Sequence, residues 1–176
     1  MKKSFLLAGF GGQGILFAAK QMAACGMNAG KNVTWLPSYG PESRGGTSNC
    51  SVIISDEEIG SPIVNKPDVL VVFNLPSFDK FINAVPAGGV AFVDSTLIDK
   101  KTDRTDITVY YVPATGLASD NGLTGSANVI MLGKIMAETK LFDYEEFTEH
   151  MAASVPESKA FLREKNKKAF DLGYNY

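Results

Sequence analysis

Residues 4–14 read Ser4-Phe5-Leu6-Leu7-Ala8-Gly9-Phe10-Gly11-Gly12-Gln13-Gly14, and an apolar run with helical spacing follows. Phe5 to Ala8 is the right length and composition for a buried strand. The strand empties into glycines spaced G-x-G-x-x-G (Gly9, Gly11 and Gly14), and a helix begins near Gln13. In open α/β sheets such a turn carries backbone N–H groups and a helix N-terminus towards an anion or a close-packed partner.

Outward from this turn the pattern continues as alternating strands and helices. Ile15, Leu16, Ala19, Met22 and Ala23 repeat at helical spacing through about Met27, with Gly26 and Gly30 as stop signals. Asn32 to Leu36 is β-branched and aromatic and reads as a strand stopped by Pro37. Strand, helix and strand within about thirty residues is the size of a right-handed βαβ unit. Residues 38–49 read as a polar, glycine-rich loop and Cys50 to Ser55 as a strand. Ile59 to Val64 is expected to return as a short antiparallel ribbon. Val69 to Phe73 is apolar at every position, as in a strand covered on both faces. Asn74 to Val85 carries a helical stripe, and Val90 to Asp94 and Ile107 to Val112 read as further strands. Pro113 to Gly125 reads as a small-residue loop. Ser126 and Asp143 stand as N-caps of helices reaching Thr139 and about Ala153, and Pro156 opens a last polar helix to about Leu172. The expected fold is one α/β domain over residues 1–176: a Rossmann-like open sheet, mostly parallel with an antiparallel ribbon, helices on both faces and a helical C-terminal flank.

Composition narrows the function classes. The chain has 176 residues, 45% hydrophobic and 20% charged, with a net charge of −2, which gives no electrostatic case for nucleic acid or an anionic membrane. The basic stretch Arg163 to Lys168 has acids nearby and reads as a solvated helix face. Two cysteines, Cys25 and Cys50, and one histidine, His150, are too few for a conventional iron–sulfur or zinc site. Both cysteines read as small buried hydrophobes, and His150 as a packing or surface residue. Met1-Lys2-Lys3 before apolar residues resembles the start of a secretory leader, but Gly9, Gly11, Gly12 and Gly14 interrupt the apolar run. A cytoplasmic chain without membrane contact is the expectation.

The glycine turn alone does not establish a dinucleotide. A ribose-binding carboxylate is expected at the end of the second strand, and that position reads Leu36-Pro37-Ser38. Gly9, Gly11 and Gly14 serve equally for a tight turn and close helix–sheet packing. Gln13 places an amide at the helix entrance, within reach of a partner backbone or a ligand. The more specific stretch is Tyr39-Gly40-Pro41-Glu42-Ser43-Arg44-Gly45-Gly46. An arginine beside Gly-Gly presents a planar donor fork together with open N–H groups, suited to carboxylate or phosphate. An internal Glu42–Arg44 pair in a solvated loop is the other reading. Thr115, Gly116, Asn121 and Asn128 form a second candidate rim, equally explained by capping and packing.

Taken together, Gly9-Phe10-Gly11-Gly12-Gln13-Gly14, Trp35 through Cys50, Ile59-Gly60-Ser61-Pro62, Pro67-Asp68 and Leu123 to Gly133 resemble the gamma subunit of the 2-oxoacid:ferredoxin oxidoreductases. Trp35 to Cys50 looks most like the 2-oxoglutarate type, although relatives often carry a larger residue where this chain has Ser43. The resemblance implies an enzyme subunit in the oxidative decarboxylation of a 2-oxoacid with coenzyme A, yielding an acyl-CoA, CO2 and two electrons. It places thiamine diphosphate, Mg and iron–sulfur clusters on alpha, beta and ferredoxin-like delta partners, with no cofactor held stably by this chain. It implies that Gly9, Gly11, Gly12, Gln13, Gly14, Tyr39, Gly40, Pro41, Glu42, Arg44, Gly45 and Gly46 form a docking surface that helps shape the coenzyme A entrance. Alone, such a chain is expected to be inactive and open to homodimerisation through its orphaned surface. The rival reading is a freestanding NAD- or FAD-binding Rossmann protein.

Overall fold

A computed structural model describes residues 1–39 and 47–176. The chain forms two compact units, Met1–Tyr111 and Val112–Tyr176. The first is built on a six-stranded sheet. Its elements are β1 (Lys2–Phe10), α1 (Ile15–Asn28), β2 (Asn32–Tyr39), β3 (Thr47–Ser55), β4 (Val69–Val72), α2 (Leu75–Phe81), β5 (Val90–Asp94) and β6 (Thr108–Val112). A short 3-10 turn, Ile82–Ala84, extends α2. Asn74 caps α2 by accepting from the Ser77 N–H at 2.8 Å.

The sheet order is β2-β3-β1-β4-β5-β6. β4 runs parallel to β1 and β5 parallel to β4, whereas β3 lies antiparallel between β1 and β2. Thus β1, β2, β4 and β5 share one direction, and β3 is the antiparallel component. β1 and β2 are the parallel strands of a crossover through α1, with β3 inserted between them.

Two strand expectations are corrected. Pro37 does not end β2, which continues to Tyr39. A proline removes a ladder donor, and β2 tolerates it because it is an edge strand whose ladder partner is β3. The expected ribbon over Ile59–Val64 does not form; those residues adopt no strand. Ser55 at the end of β3 already pairs with Lys2 on one side and Asn32 on the other, so β3 has no free edge for a strand returning beside it.

Period-two alternation divides the core between the faces. Leu6, Ala8, Leu70, Val72, Ala91 and Val93 pack with Phe78, Ile82 and Val85 of the α2 region. On the other face lies α1, close enough that a Cβ on Gly26 would come within 3.0 Å of Val33 and 3.4 Å of Ile54. Arg104 adds a polar clamp, donating to the Ile82 and Val85 carbonyls at 3.0 and 2.6 Å and pairing with Asp106.

The second unit contains α3 (Ala114–Asp120), α4 (Ala127–Thr139), α5 (Tyr144–Ala153), a 3-10 turn (Glu157–Lys159) and α6 (Phe161–Tyr174). The small-residue stretch after Pro113 is therefore not a loop throughout. Ala114 and Ala118 are buried one turn apart on α3, and Asn121 closes the helix by donating from its side chain to the Leu117 carbonyl at 2.8 Å. Ser126 and Asp143 occupy the N-cap positions of α4 and α5, but neither side chain makes a capping bond. Phe147 and Phe170 stack at 5.4 Å between α5 and α6, and the Tyr144 hydroxyl donates to Asp171 at 2.5 Å.

At the α4–α6 crossing the backbones meet through two glycines. A Cβ on Gly173 would strike the Ile130 carbonyl, and one on Gly133 would strike the Phe170 carbonyl. Backbone cannot yield as a flexible side chain can. Gly173→Ala is therefore expected to destabilise the fold by about 3 kcal/mol, at the upper end of ordinary overpacking, read from urea unfolding midpoints.

Asp56 binds the Met1 ammonium at 2.6 Å and also pairs with Lys31, joining the starts of β1 and β2. Hydrogen bonds from Lys31 and the N-terminus hold its carboxyl down at about 2. A carboxylate lowered on folding contributes stability that is present above its unfolded value, near 4, and lost as pH falls towards the folded one. Asp56→Asn should flatten the stability profile between about pH 4 and pH 2 and leave the slope above pH 5 unchanged, as followed by acid titration of thermal unfolding.

Candidate functional site

The C-terminal ends of β1 and β2 and the start of β3 meet the N-terminus of α1. Gly9 is placed there by packing: a Cβ would collide with the Gln13 amide and come within 3.0 Å of Ile15 and 3.2 Å of Phe73. Gln13 itself is turned inward. Its Oε1 accepts from the Phe10 N–H at 2.7 Å, and its Nε2 donates to the Phe73 carbonyl at 3.0 Å. The side chain thus ties the end of β1 to the residue following β4. Gly14 precedes α1 with φ 76°, a left-handed geometry that suits glycine, and gives the helix no side-chain cap.

A cleft of about 410 Å³ opens beside this turn. Gly11, Gly12, Gly14 and Tyr39 line it, so the structure gathers these sequence-predicted positions in one place. Gly9 and Gln13 form the frame behind it. Gly40, Pro41, Glu42, Arg44, Gly45 and Gly46 lie outside the described residues. The cleft also presents Phe10, Ile15, Leu16, Phe17, Thr47 and Ser48, which sequence reading did not single out. Phe17 sits in an amphipathic helix where an apolar residue reads as core, yet it is 41% exposed. Ser48 lies in a stretch that reads as loop, yet it is a buried strand residue. The register places Tyr39, Ser48 and Gly9 opposite one another across β2, β3 and β1, and paired residues share a face.

The other candidates have structural surroundings. Thr115 and Gly116 lie within α3, Asn121 closes that helix, and Asn128 is buried on α4. His150 lies in the last turn of α5, where burial pushes its pKa down. Burial pushes the Cys50 thiol up to about 11, so it is neither a nucleophile nor a ready ligand at neutral pH. Among the described residues no group of three or more His, Cys, Asp or Glu side chains is arranged to hold a metal.

Because the Gln13 amide bridges the two strand ends beside the Phe73 N–H to Ala8 carbonyl bond, Gln13→Ala removes two hydrogen bonds at once. It is expected to lower stability by about 2 kcal/mol and to speed amide exchange at Phe10, measured by chemical denaturation and hydrogen exchange.

Comparisons with known proteins place the chain in a family and match its fold. Residues 4–176 match the family described as pyruvate ferredoxin/flavodoxin oxidoreductase. The 2-oxoglutarate synthase subunit KorC of Methanocaldococcus jannaschii is 39% identical over 177 residues, covering 99% of this chain and 93% of that protein. The ketoisovalerate oxidoreductase subunit VorA of Methanothermobacter marburgensis is 44% identical over 131 residues, 74% of this chain. That alignment spans only 27% of VorA's length. The crystal structure of a keto/oxoacid ferredoxin oxidoreductase gamma subunit from Geobacter sulfurreducens superimposes with a TM-score of 0.85 at 29% identity, covering 99% of this chain and 95% of that one. The chain belongs to the pyruvate ferredoxin/flavodoxin oxidoreductase family.

Proposed function

We propose that this chain is the gamma subunit of a 2-oxoacid:ferredoxin oxidoreductase of the 2-oxoglutarate type. The observation that carries this reading is the near end-to-end match to KorC, in which neither protein has a large unmatched portion. The reaction is the coenzyme A-dependent oxidation of a 2-oxoacid to an acyl-CoA and CO2. Thiamine diphosphate, Mg and the iron–sulfur clusters belong to alpha, beta and ferredoxin-like delta partners. This chain's own residues do not suit a cluster: its two cysteines are both buried, and four thiolates are the usual requirement. Both compact units fall within the family match, which supports reading 1–176 as one functional domain. No helix among the described residues is long and apolar enough to cross a membrane, and we assign the complex to the cytoplasm.

The chain's role is to dock through the face around Gly11, Gly12, Gly14 and Tyr39, together with Gly40 to Gly46, and to shape the coenzyme A entrance. Tyr39 is 67% exposed and Trp35 41%, and exposed aromatics of this kind are common interface anchors. Arg44 supplies the charge contact, to a partner carboxylate or a coenzyme A phosphate. No observation favours a freestanding NAD- or FAD-binding protein. The end of β2 offers Leu36, Pro37, Ser38 and Tyr39, none of them a ribose-binding acid.

The reading is tested by co-expression with the candidate alpha and beta chains, followed by assay with 2-oxoglutarate, pyruvate and 2-oxoisovalerate. A complex turning over 2-oxoglutarate fastest is expected; a chain that pulls down no thiamine-binding partner refutes the assignment. Tyr39→Ala and Arg44→Ala should each weaken assembly by about 2–4 kcal/mol or raise the KM for coenzyme A, with the isolated chain still folded by circular dichroism.

A further inference from the structure

We propose that the free chain pairs with a second copy of itself through the open edge of β2, in an antiparallel register centred on Trp35. The partner subunits then dock only after this dimer parts, a consequence that rests on the gamma-subunit reading.

β2 closes one side of the six-stranded sheet, and among the described residues no strand lies beyond it. All eight of its residues pair with β3 without a bulge, from Asn32 opposite Ser55 to Tyr39 opposite Ser48. The strand is therefore regular along its whole length, about 26 Å at 3.3 Å per residue. An open edge of this kind is a template for another strand, and proteins ordinarily blunt it with charge, brevity or cover. The opposite edge shows such treatment: β6 has five residues, and the Lys101 ammonium lies over the Tyr111 ring at 5.3 Å. β2 carries no charged residue from Asn32 to Tyr39, and the flanking Lys31 is neutralised by Asp56. Instead the strand exposes Trp35, Leu36 and Tyr39.

These properties suit self-pairing. A two-fold axis through an antiparallel pair sets the central residue against its own copy, so a charge there would meet its own sign. An uncharged strand meets no such repulsion. Pro37 then selects the register. In an edge strand a proline turns its missing N–H to the open side. By the alternation of an antiparallel ladder, Val33, Trp35 and Tyr39 send their main-chain groups the same way. An axis on Trp35 sets Trp35 against itself and Val33 against the second copy's Pro37. Each Trp35 N–H then donates to the other Trp35 carbonyl, and each Val33 N–H to a Pro37 carbonyl. An axis on Pro37 would put two prolines face to face with no bond between them. An axis on Val33 would carry Pro37 beyond the end of the opposing β2.

The side chains agree with that register. Val33 faces α1, since a Cβ on Gly26 of that helix would come within 3.0 Å of it, and Trp35, two residues on, shares the face. The two indoles therefore lie side by side across the axis as an aromatic cross-strand pair. A strip about 26 Å long and one side chain deep on each face covers less than the about 800 Å² per partner of a standard stable interface. The dimer is accordingly weak and reversible, with a Kd in the micromolar range, as a chain that must release this edge to other subunits requires.

The test is sedimentation velocity of the full chain over a range of concentrations, with the emission of Trp35, the chain's one tryptophan, read in parallel. A reversible monomer–dimer equilibrium is expected, with the emission moving to the blue and resisting acrylamide quenching as the dimer forms. Trp35→Lys sets two like charges on the axis and should weaken the dimer by about tenfold, with the circular dichroism unchanged. Met27→Lys, at an exposed position on α1, should leave the dimer intact. Oxidation reads the register. Hydrogen-bonded antiparallel partners have Cα atoms about 5.5 Å apart, a span that a disulfide bridges. Trp35→Cys should therefore cross-link into a covalent dimer and Ser38→Cys should not, Cys25 and Cys50 being buried.

A chain that stays monomeric up to millimolar concentration overturns the proposal. So does a dimer that survives Trp35→Lys, or one that cross-links through Ser38→Cys and not through Trp35→Cys. With alpha and beta chains added, the reduced Trp35→Cys chain should assemble more fully than the oxidised dimer. If the oxidised dimer assembles as fully, the docking face around Tyr39 falls and the β2 dimer stands. If wild-type chain dimerises through β2 but pulls down no thiamine-binding partner, the gamma-subunit reading falls and the dimer again stands.

Discussion

The close approach of α1 to the end of β1 is the constraint on which the site depends. It requires Gly9, because any side chain there meets Gln13, Ile15 and Phe73. It is then fixed by Gln13, whose amide joins the Phe10 N–H to the Phe73 carbonyl. One side chain therefore ties together the end of a central strand, the entrance of a helix and the residue after the neighbouring parallel strand. The same commitment has a chemical consequence. With Gln13 directed inward and Gly14 at the cap, α1 starts without a side-chain cap.

The second determinant is the insertion of β3 between the two parallel strands of the crossover. β3 displaces β2 to the edge, where Pro37 costs no interior ladder bond. It also puts Tyr39, Ser48 and Gly9 in one row across the three strands. Ser48 thus has an aromatic neighbour on one side and a bare backbone on the other. A larger residue at position 9 would crowd the helix entrance at Gln13 and Ile15. Sheet order and site geometry are consequences of the same arrangement.

Much of this frame is legible in the amino-acid pattern, and the exceptions have physical reasons. Val90–Asp94 is marked by a continuous apolar run and its bounds are observed as expected, whereas α1 starts at Ile15, two residues beyond Gln13, because Gln13 turns inward to the strand ends and Gly14 takes the left-handed cap. β1 runs beyond its apolar centre to Lys2 because its first residues pair with β3, a tertiary event that local composition does not report. The ribbon over Ile59–Val64 has the residue types of a strand, but both sides of the preceding strand β3 are taken by β1 and β2, which local composition does not report. α3 is built from small residues whose helical state depends on the burial of Ala114 and Ala118. At the site, the glycines and Tyr39 are conspicuous as residue types. Ser48 and Phe17 are not, because a serine in a polar stretch and a phenylalanine in an amphipathic helix have common explanations. Their significance lies in burial and exposure opposite to what those explanations require.

The uncapped start of α1 has an energetic meaning when set beside the other helices. α2, half as long, uses Asn74 as a capping acceptor, and α5 carries Glu145 and Glu146 in its first turn. Either device contributes on the order of 1 kcal/mol. α1 has neither, although it packs on the sheet beside the central strand and would gain as much from them. A serine, threonine or aspartate in place of Gly14 would have to adopt a left-handed conformation that such residues rarely take, so the tight turn forbids the ordinary remedy. The same turn excludes a first-turn carboxylate only at Gly14 itself; Leu16 and Phe17 are free to be acidic on geometric grounds and are instead apolar. Like α3 and α4, which have neither device, α1 therefore forgoes a stabilisation that α2 and α5 use, and here the reason is the left-handed turn at Gly14.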